Sequence, residues 1–316
     1  MESLKSTTLL TRERLLQPLM TTVTVLGTAC MAPTRERNTA AVLVQVESEG
    51  VLFDCGEGTQ RQMRIAGIPV TKVTHILLSH WHGDHVFGLP GLLQTLAASE
   101  YSRTLRIFGP QGTKNAYERM VGLFGLAPEL SVEVEEVSSG KFHENRFFTL
   151  LAEPLDHEVP CAGYALVLPD KRRINMEFAK KAGLKPGPLM GKLQRNESVT
   201  VEGKTITPQQ ATTFIKGKKL AYVTDTSPCN GALQIAEDAD VLISEAVFTQ
   251  DLEEKAEGYK HLTARHAGML ANQANVRKLV LTHFSKRFSN SQPLEEEARD
   301  VFDNTVCAED FMHFDL

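Results

Sequence analysis

The sequence predicts an α/β protein built in four layers, αββα: helices, sheet, sheet, helices. Two observations point there. The 316 residues are 42% hydrophobic and 23% charged, which supplies a large core and excludes a disordered chain. Two separate series of short β-rich runs, each with helical patterns interspersed, suggest two covered sheets rather than one alternating βαβ sheet. No internal repeat breaks this scheme. No apolar run approaches the ~18 residues of a membrane span, so no membrane partner is expected. The net charge of −5 excludes a uniformly basic nucleic-acid binder but leaves room for a local basic patch.

Residues 1–20 mix Glu2, Lys5, Arg12, Glu13 and Arg14 with short apolar stretches. They lack the continuous apolar centre of a secretory signal and read as an extension before a single domain, residues 21–316. Their Ser/Thr content leaves organellar targeting open. The first series of strands covers residues 21–26, 40–47, 51–54 (after a Glu49-Gly50 turn), 73–79 and 105–108. Apolar residues at helical spacing mark helices at 60–66, 89–98 and 113–124. Residues 131–168 are strand-like again. The second series is 219–224, 241–245 and 279–282, with helices around Ala232 and at 264–272 and 295–302.

Residues 171–195 depart from this pattern. They hold Lys171, Arg172, Arg173, Lys180, Lys181, Lys185, Lys192 and Arg195 against one acid, Glu177. That is +7 in 25 residues, leaving −12 for the rest of the chain. Pro186-Gly187-Pro188 interrupts any helix or central strand here, so the stretch reads as an irregular, protruding arm that meets a polyanion. The five cysteines, Cys30, Cys55, Cys161, Cys229 and Cys307, are scattered without a CxxC pair. They read as reduced thiols of a cytoplasmic protein.

The most informative residues are His80-Trp81-His82-Gly83-Asp84-His85, directly after the strand at 73–79. Imidazole nitrogens and carboxylate oxygens are the usual ligands of Zn²⁺ in hydrolytic sites. Four of them in six residues point to a metal, with Gly83 allowing the tight turn that lets them converge. They cannot complete two metal sites alone. His157, Asp225 and His283 each end a strand-like run and are the candidate partners. Trp81 reads as a packing wedge beneath the site, and His75 and His266 as packing or surface residues.

These motifs resemble the metallo-β-lactamase superfamily, whose HxHxDH motif matches His80, His82, Asp84 and His85. More narrowly, the chain is similar to short-form ribonuclease Z, the family of tRNA 3′-processing endonucleases. Leu26-Gly27-Thr28 with Pro33-Thr34-Arg35-Glu36-Arg37-Asn38 resembles that family's opening strand and PxKxRN loop, with Arg35 in place of lysine. Asp54-Cys55-Gly56-Glu57-Gly58-Thr59-Gln60 matches its DCGEGTQ turn. Gly187-Pro188-Leu189 and Gly191-Lys192-Leu193 match its tRNA-binding arm. Asp156-His157, Thr224-Asp225-Thr226 and Thr282-His283-Phe284-Ser285-Lys286-Arg287 match its later metal motifs. His261-Leu262-Thr263-Ala264 stands at its HEAT or HST loop, with Leu262 departing from the pattern.

The resemblance implies a metallo-β-lactamase-like nuclease domain with two Zn²⁺ per chain. His80, His82 and His157 would bind one ion, Asp84, His85 and His283 the other, and Asp225 would bridge them. Asp84 would hold the proton of the attacking water and His261 would assist the leaving 3′ oxygen, so that precursor tRNA yields a 3′-OH and a trailer with a 5′-phosphate. Arg35, Arg37, Asn38, Lys192, Ser285 and Arg287 are the implied contacts to tRNA. A homodimer is implied, with the arm of one subunit serving the other's site. Two other readings remain open at this stage. One is a hydrolase of the same superfamily acting on a small ester or phosphodiester, which a neutral arm would favour. The other is a non-catalytic, zinc-stabilised RNA-binding protein, which loss of a ligand would favour.

Overall fold

The structure is a computed structural model that describes residues 21–125 and 129–316. The extension read at residues 1–20 lies outside the described residues. From Thr21 the chain forms β1 (Thr22–Gly27), β2 (Ala41–Val46), β3 (Glu49–Phe53), β4 (His75–Leu77), β5 (Leu105–Gly109) and β6 (Val132–Glu136). It continues through β7 (Gly140–Glu144), β8 (Thr149–Leu155) and β9 (Cys161–Val167). A small unit then carries β10 (Lys171–Ile174), β11 (Val199–Val201), β12 (Lys204–Ile206) and β13 (Thr212–Ile215). The chain returns as β14 (Lys219–Val223), β15 (Val241–Glu245), β16 (Leu279–Thr282) and β17 (Thr305–Cys307), and ends at β18 (His313–Asp315).

Two seven-stranded sheets result, ordered β18-β1-β2-β3-β4-β5-β6 and β17-β16-β15-β14-β9-β8-β7. Each is mixed. Strands β3 to β6 are mutually parallel, as are β14 to β17. The sandwich follows from which side chains each strand offers. In β2, Val42, Val44 and Val46 face a core between the sheets, shared with Phe53, Leu77, Tyr164 and Tyr222. Ala41 and Leu43 face outward onto a second core with Met63, Leu89, Leu92, Leu93 and Leu96. In the Leu89–Ala98 helix those leucines recur at i, i+3, i+4 and i+7, the stripe that a helix buries on one face. Behind the other sheet, Ala232, Ile235, Ala267, Ala271, Leu294 and Ala298 come from three helices and pack on Ala221, Val223, Leu242 and Leu279. Four layers are therefore present, and each fully buried aliphatic or Phe side chain stabilises them by ~1.5–3 kcal/mol.

Several expectations need correction. The turn between β2 and β3 lies at Glu47 and Ser48, with Glu47 at φ +57°, while Glu49 and Gly50 are already in the strand. Gly50 is required for a different reason: a Cβ there would stand 2.3 Å from the Lys72 carbonyl oxygen. The helix expected at 295–302 starts and stops earlier, at Gln292–Arg299, with proline in its first turn. Gly83 does not adopt the left-handed conformation. It opens a helical turn, Gly83–Val86, where a Cβ would meet the Phe87 ring.

The basic stretch is not irregular. Helices Met176–Lys181 and Pro188–Gln194 occupy it. Proline at the first position of the second helix removes an N–H that has no intrahelical partner anyway, so Pro186-Gly187-Pro188 starts a helix rather than preventing one. The ordered unit also continues past Arg195. β10 pairs antiparallel with β13, from Lys171↔Ile215 to Ile174↔Thr212. Ala179, Leu184, Met190, Leu193, Val199, Ile206 and Ala211 form its own core.

Candidate metal centre

The donors gather where parallel strands end. β4 stops at Leu77, and Ser79 turns back so that its N–H and hydroxyl donate to Asp54 beyond β3. His80 and His82 follow on the loop, and the Gly83–Val86 turn brings Asp84 and His85 to the same side. His157 follows β8, Asp225 follows β14 and His283 follows β16. Asp54, Asp225 and His283 adopt φ of 56°, 56° and 58°. Such left-handed residues cost on the order of 1–3 kcal/mol each and persist where the surroundings enforce them. Here they aim strand-end side chains into one cluster.

Two donor sets share Asp225. In the first, His80 Nε2 lies 3.6 Å and His157 Nε2 3.9 Å from Asp225 Oδ2, and His82 Nδ1 lies 3.3 Å from His157 Nε2. In the second, His85 Nε2 is 3.1 Å from His283 Nε2 and 3.5 Å from Asp84 Oδ2, while His283 Nε2 is 3.3 Å from Asp84 Oδ2. His85 Nε2 also lies 3.5 Å from Asp225 Oδ2. A tetrahedral ion with bonds of ~2.0–2.2 Å has ligand–ligand edges of roughly 3.3–3.6 Å, so the separations suit such an ion in each set.

Charge and burial give the same result. His80 Nε2, a donor of the first set, is a buried nitrogen with no hydrogen-bond partner, which is costly unless something else satisfies it. Burial and then the neighbouring His85 push His80 well below its ordinary pKa, and burial also lowers His157, favouring the neutral, metal-binding imidazole. Burial opposes charge on His85 and His283 as well. There the Asp225 carboxylate prevails, aided by Asp54 at His85, and holds both pKa values well above the ordinary range. Asp84 and Asp225 are correspondingly lowered against the effect of burial. A buried spot that retains protons this firmly stabilises positive charge, and a divalent cation displaces such protons on binding. The residues fit metal.

Surrounding groups fix the donors. Asp54 Oδ2 lies 2.8 Å from His85 Nδ1 and accepts from the Tyr222 hydroxyl at 2.8 Å. His80 Nδ1 contacts Ser79 Oγ at 3.0 Å, and His157 Nδ1 contacts the Lys260 carbonyl at 3.3 Å. The Met31 N–H donates to Asp84 Oδ2 at 2.6 Å. Such contacts set ring orientation and ligand basicity.

His261 stands beside the cluster, its ring 5.5 Å from that of His157 and 5.9 Å from that of His283. Its Nδ1 lies 2.9 Å from Oε2 of Glu245, a fully buried carboxylate at the end of β15 whose Oε1 accepts from the Thr226 N–H. Burial opposes charge on His261, but Glu245 outweighs it and raises the pKa. Leu262, the departure from the family pattern, is 1% exposed and belongs to the helix-side core. Thr263 caps the Ala264–Gln273 helix through its hydroxyl.

A cleft of about 1020 Å³ opens over the cluster, lined by His82, Asp84, His157, Asp225 and His261, and also by Ser285, Lys286 and Arg287. The structure thus brings together all seven candidate ligands, His261, Ser285 and Arg287. Four other candidates are placed differently. Arg37 donates to the Phe288 carbonyl at 2.8 Å and lies over the Phe284 ring. Asn38 holds the Glu57 carbonyl and, through its N–H, Asp310. Arg35 is exposed on their loop, and Lys192 is exposed on the Pro188–Gln194 helix. Trp81 packs against the core under the Leu89–Ala98 helix and donates to Thr113.

Sequence reasoning gave no role to Asp54, Glu245 or Cys30. Asp54 is visible in the sequence as the first residue of the Asp54–Gln60 turn and Glu245 as an acid ending an apolar strand, but neither spacing marks the histidine it holds. Cys30 had no motif.

Residues 34–164 match the metallo-β-lactamase superfamily. Over 302 residues the chain is 39% identical to the ribonuclease Z of Methanosarcina acetivorans, covering 94% of this chain and 98% of that protein. To the ribonuclease Z of Archaeoglobus fulgidus it is 40% identical over 299 residues, covering 93% and 97%. Among solved structures, the short form of human tRNase Z matches with a TM-score of 0.67 and 25% identity, covering 93% of this chain and 98% of that one.

Proposed function

The chain belongs to the ribonuclease Z family of the metallo-β-lactamase superfamily, and from that premise we propose a zinc-dependent endoribonuclease that removes the 3′ trailer from precursor tRNA. The observation that carries this reading is the pair of donor sets sharing Asp225 on the wall of an open cleft. His80, His82 and His157 would hold one ion, Asp84, His85 and His283 the other, and Asp225 both. When bound, zinc supplies Lewis acidity, acidifying water near neutral pH and offsetting the charge of a phosphodiester.

The chain's own groups do the rest. Asp84, fixed by the Met31 N–H, holds the attacking water in line and takes its proton. His261 has Nδ1 committed to Glu245, which leaves Nε2 to protonate the departing 3′ oxygen. The raised pKa of His261 suits a proton donor. Products are a tRNA ending in 3′-OH and a trailer with a 5′-phosphate.

Ser285 and Arg287 on the cleft wall would receive the RNA backbone through charge-assisted bonds. Arg37 and Asn38 would act by holding that wall in place, since their polar atoms bond within the protein. The basic unit with Lys192 would bind the body of the precursor tRNA, and the family resemblance supports a homodimer in which it serves the partner's cleft. Among the described residues, no helix is long and apolar enough to cross a membrane. Five free cysteines support a cytoplasmic setting.

Incubating the purified protein with a 3′-extended precursor tRNA and sequencing both ends of the cut tests this reading. A single cut at the 3′ boundary of the mature tRNA supports it. Intact precursor in the presence of metal-loaded protein refutes it.

A further inference from the structure

Cys30 lies in neither the HxHxDH motif nor any of the later metal motifs, yet its sulfur, a carboxylate oxygen of Asp84 and a ring nitrogen of His283 all lie within 4.8 Å of one another. Among the described residues it is the one cysteine placed in such a donor cluster.

The backbone locks it there. The Cys30 N–H donates to the Phe284 carbonyl at 3.0 Å, next to His283, and the following N–H, of Met31, donates to Asp84 Oδ2 at 2.6 Å. Ala29 bridges to Phe284 in parallel register. Cys30 is therefore clamped between two of the proposed ligands. A second observation points to a cation beside it. His283 is 1% exposed, and its Nε2 converges on His85 Nε2 at 3.1 Å and Asp84 Oδ2 at 3.3 Å, while its Nδ1, on the Asp225 side, has no hydrogen-bond partner.

We propose that Cys30 is a further metal ligand, donating its sulfur to the ion held by Asp84, His85 and His283. The proposal rests on the metal-centre reading above. Binding forms a metal–sulfur bond and releases the thiol proton to solvent. The consequence is selectivity. With nitrogen and oxygen donors alone the site accepts Mn²⁺ as readily as its ligand softness allows, whereas a thiolate biases it toward Zn²⁺, Co²⁺ and Cd²⁺. Cys30 would thus be a determinant of which metal the enzyme retains.

The test is cobalt reconstitution of the full chain as wild type, Cys30→Ser and Cys30→Ala, read by absorption and elemental analysis. Wild type should take up two Co²⁺ and show a near-ultraviolet thiolate-to-cobalt charge-transfer band. Both variants should lose that band while keeping the visible bands of the nitrogen and oxygen ligands. In chelator competition their more weakly held ion should dissociate at least about tenfold more readily, the lower end of the effect seen even for groups outside the ligand shell. Their ratio of Cd²⁺ to Mn²⁺ retained should fall.

Wild-type protein with two cobalt ions and no charge-transfer band overturns the role of Cys30 and leaves the metal centre standing. This outcome does not depend on whether either variant folds. A band that persists in Cys30→Ala overturns the role equally. Wild-type protein that takes up no cobalt overturns both the role of Cys30 and the metal centre on which it rests.

Discussion

Removing the basic unit should separate tRNA binding from phosphodiester chemistry. Its ends make the excision feasible: Lys171 and Ile215 are directly paired, and Asp170 Oδ1 already accepts from the Gly217 N–H at 2.7 Å. Paired residues stand ~4.5–5.5 Å apart at Cα, so a two-residue turn can join Asp170 to Lys216. The cut must take all of residues 171–215, because a shorter one would leave Val199, Ile206 and Ala211 exposed from a broken core. Nine basic residues leave with three acidic ones, a loss of +6 that takes the chain from −5 to −11. Most of these basic side chains are exposed. If about five of them neutralise phosphates, the slope of log affinity against log salt becomes shallower by roughly 4, or ~250-fold between about 50 and 200 mM salt. Fluorescence anisotropy with labelled precursor tRNA across that range measures the slope. Hydrolysis of a small chromogenic phosphodiester should survive, because no ligand, nor His261 or Glu245, lies in the excised segment. An unchanged slope would refute the role of the unit. Loss of small-substrate hydrolysis in a folded, metal-loaded deletion would place the unit in the catalytic machinery instead.

Asp84→Ala should lower precursor turnover by roughly 10²–10⁴ while tRNA affinity stays near wild type, and a parallel loss of both would make Asp84 a structural residue. Glu245→Gln keeps the shape of the side chain but removes the charge that raises His261. A charge-assisted hydrogen bond contributes ~1.5–3 kcal/mol, so the alkaline limb of kcat should move down by about 1–2 pH units, measured in pH–rate profiles. An unmoved limb would exclude His261 as the proton donor. His75 governs stability rather than activity. Burial among the Phe108, Phe148 and His143 rings, with repulsion from His143, lowers its pKa from 6.5 to about 4. Between those values the unfolded chain binds a proton that the folded one does not. This contribution is therefore complete above pH 6.5 and is lost as pH falls toward 4, by up to ~3 kcal/mol. Urea midpoints should fall with pH in that window and fall less in His75→Phe.

The sequence made the fold and the ligands legible for different reasons. Strands 241–245 and 279–282 open with unbroken apolar runs, Val241–Ile243 and Leu279–Leu281, because both their faces are covered, and the helix at 89–98 carries its leucines at a spacing only a helix buries on one side. HxHxDH stood out because its spacing has no packing explanation. Glu245 and Asp54 did not, since a carboxylate that orients a histidine needs only to be near it in space, and His261 and His85 lie 16 and 31 residues further along the chain. Cys30 meets Asp84 and His283 across distant elements for the same reason. The order of the basic unit is hard to see in the sequence because Pro186-Gly187-Pro188 has the composition of an interruption, whereas proline is well tolerated at a helix start. The closing strand β18 was missed. It spans three residues, His313–Asp315, and pairs with β1, almost the whole chain away.

The central claim is that water, handled by Asp84 and His261 at a metal centre, cuts the bond 3′ of the mature tRNA. The direct measurement is cleavage of a 3′-extended precursor in ¹⁸O-labelled water, with mass spectrometry of both products. The account predicts one ¹⁸O in the 5′-phosphate of the trailer and an unlabelled 3′-OH on the tRNA. A 2′,3′-cyclic phosphate or a 3′-phosphate on the tRNA, with an unlabelled 5′-OH trailer, would mean that the ribose 2′-hydroxyl attacks, and would contradict it.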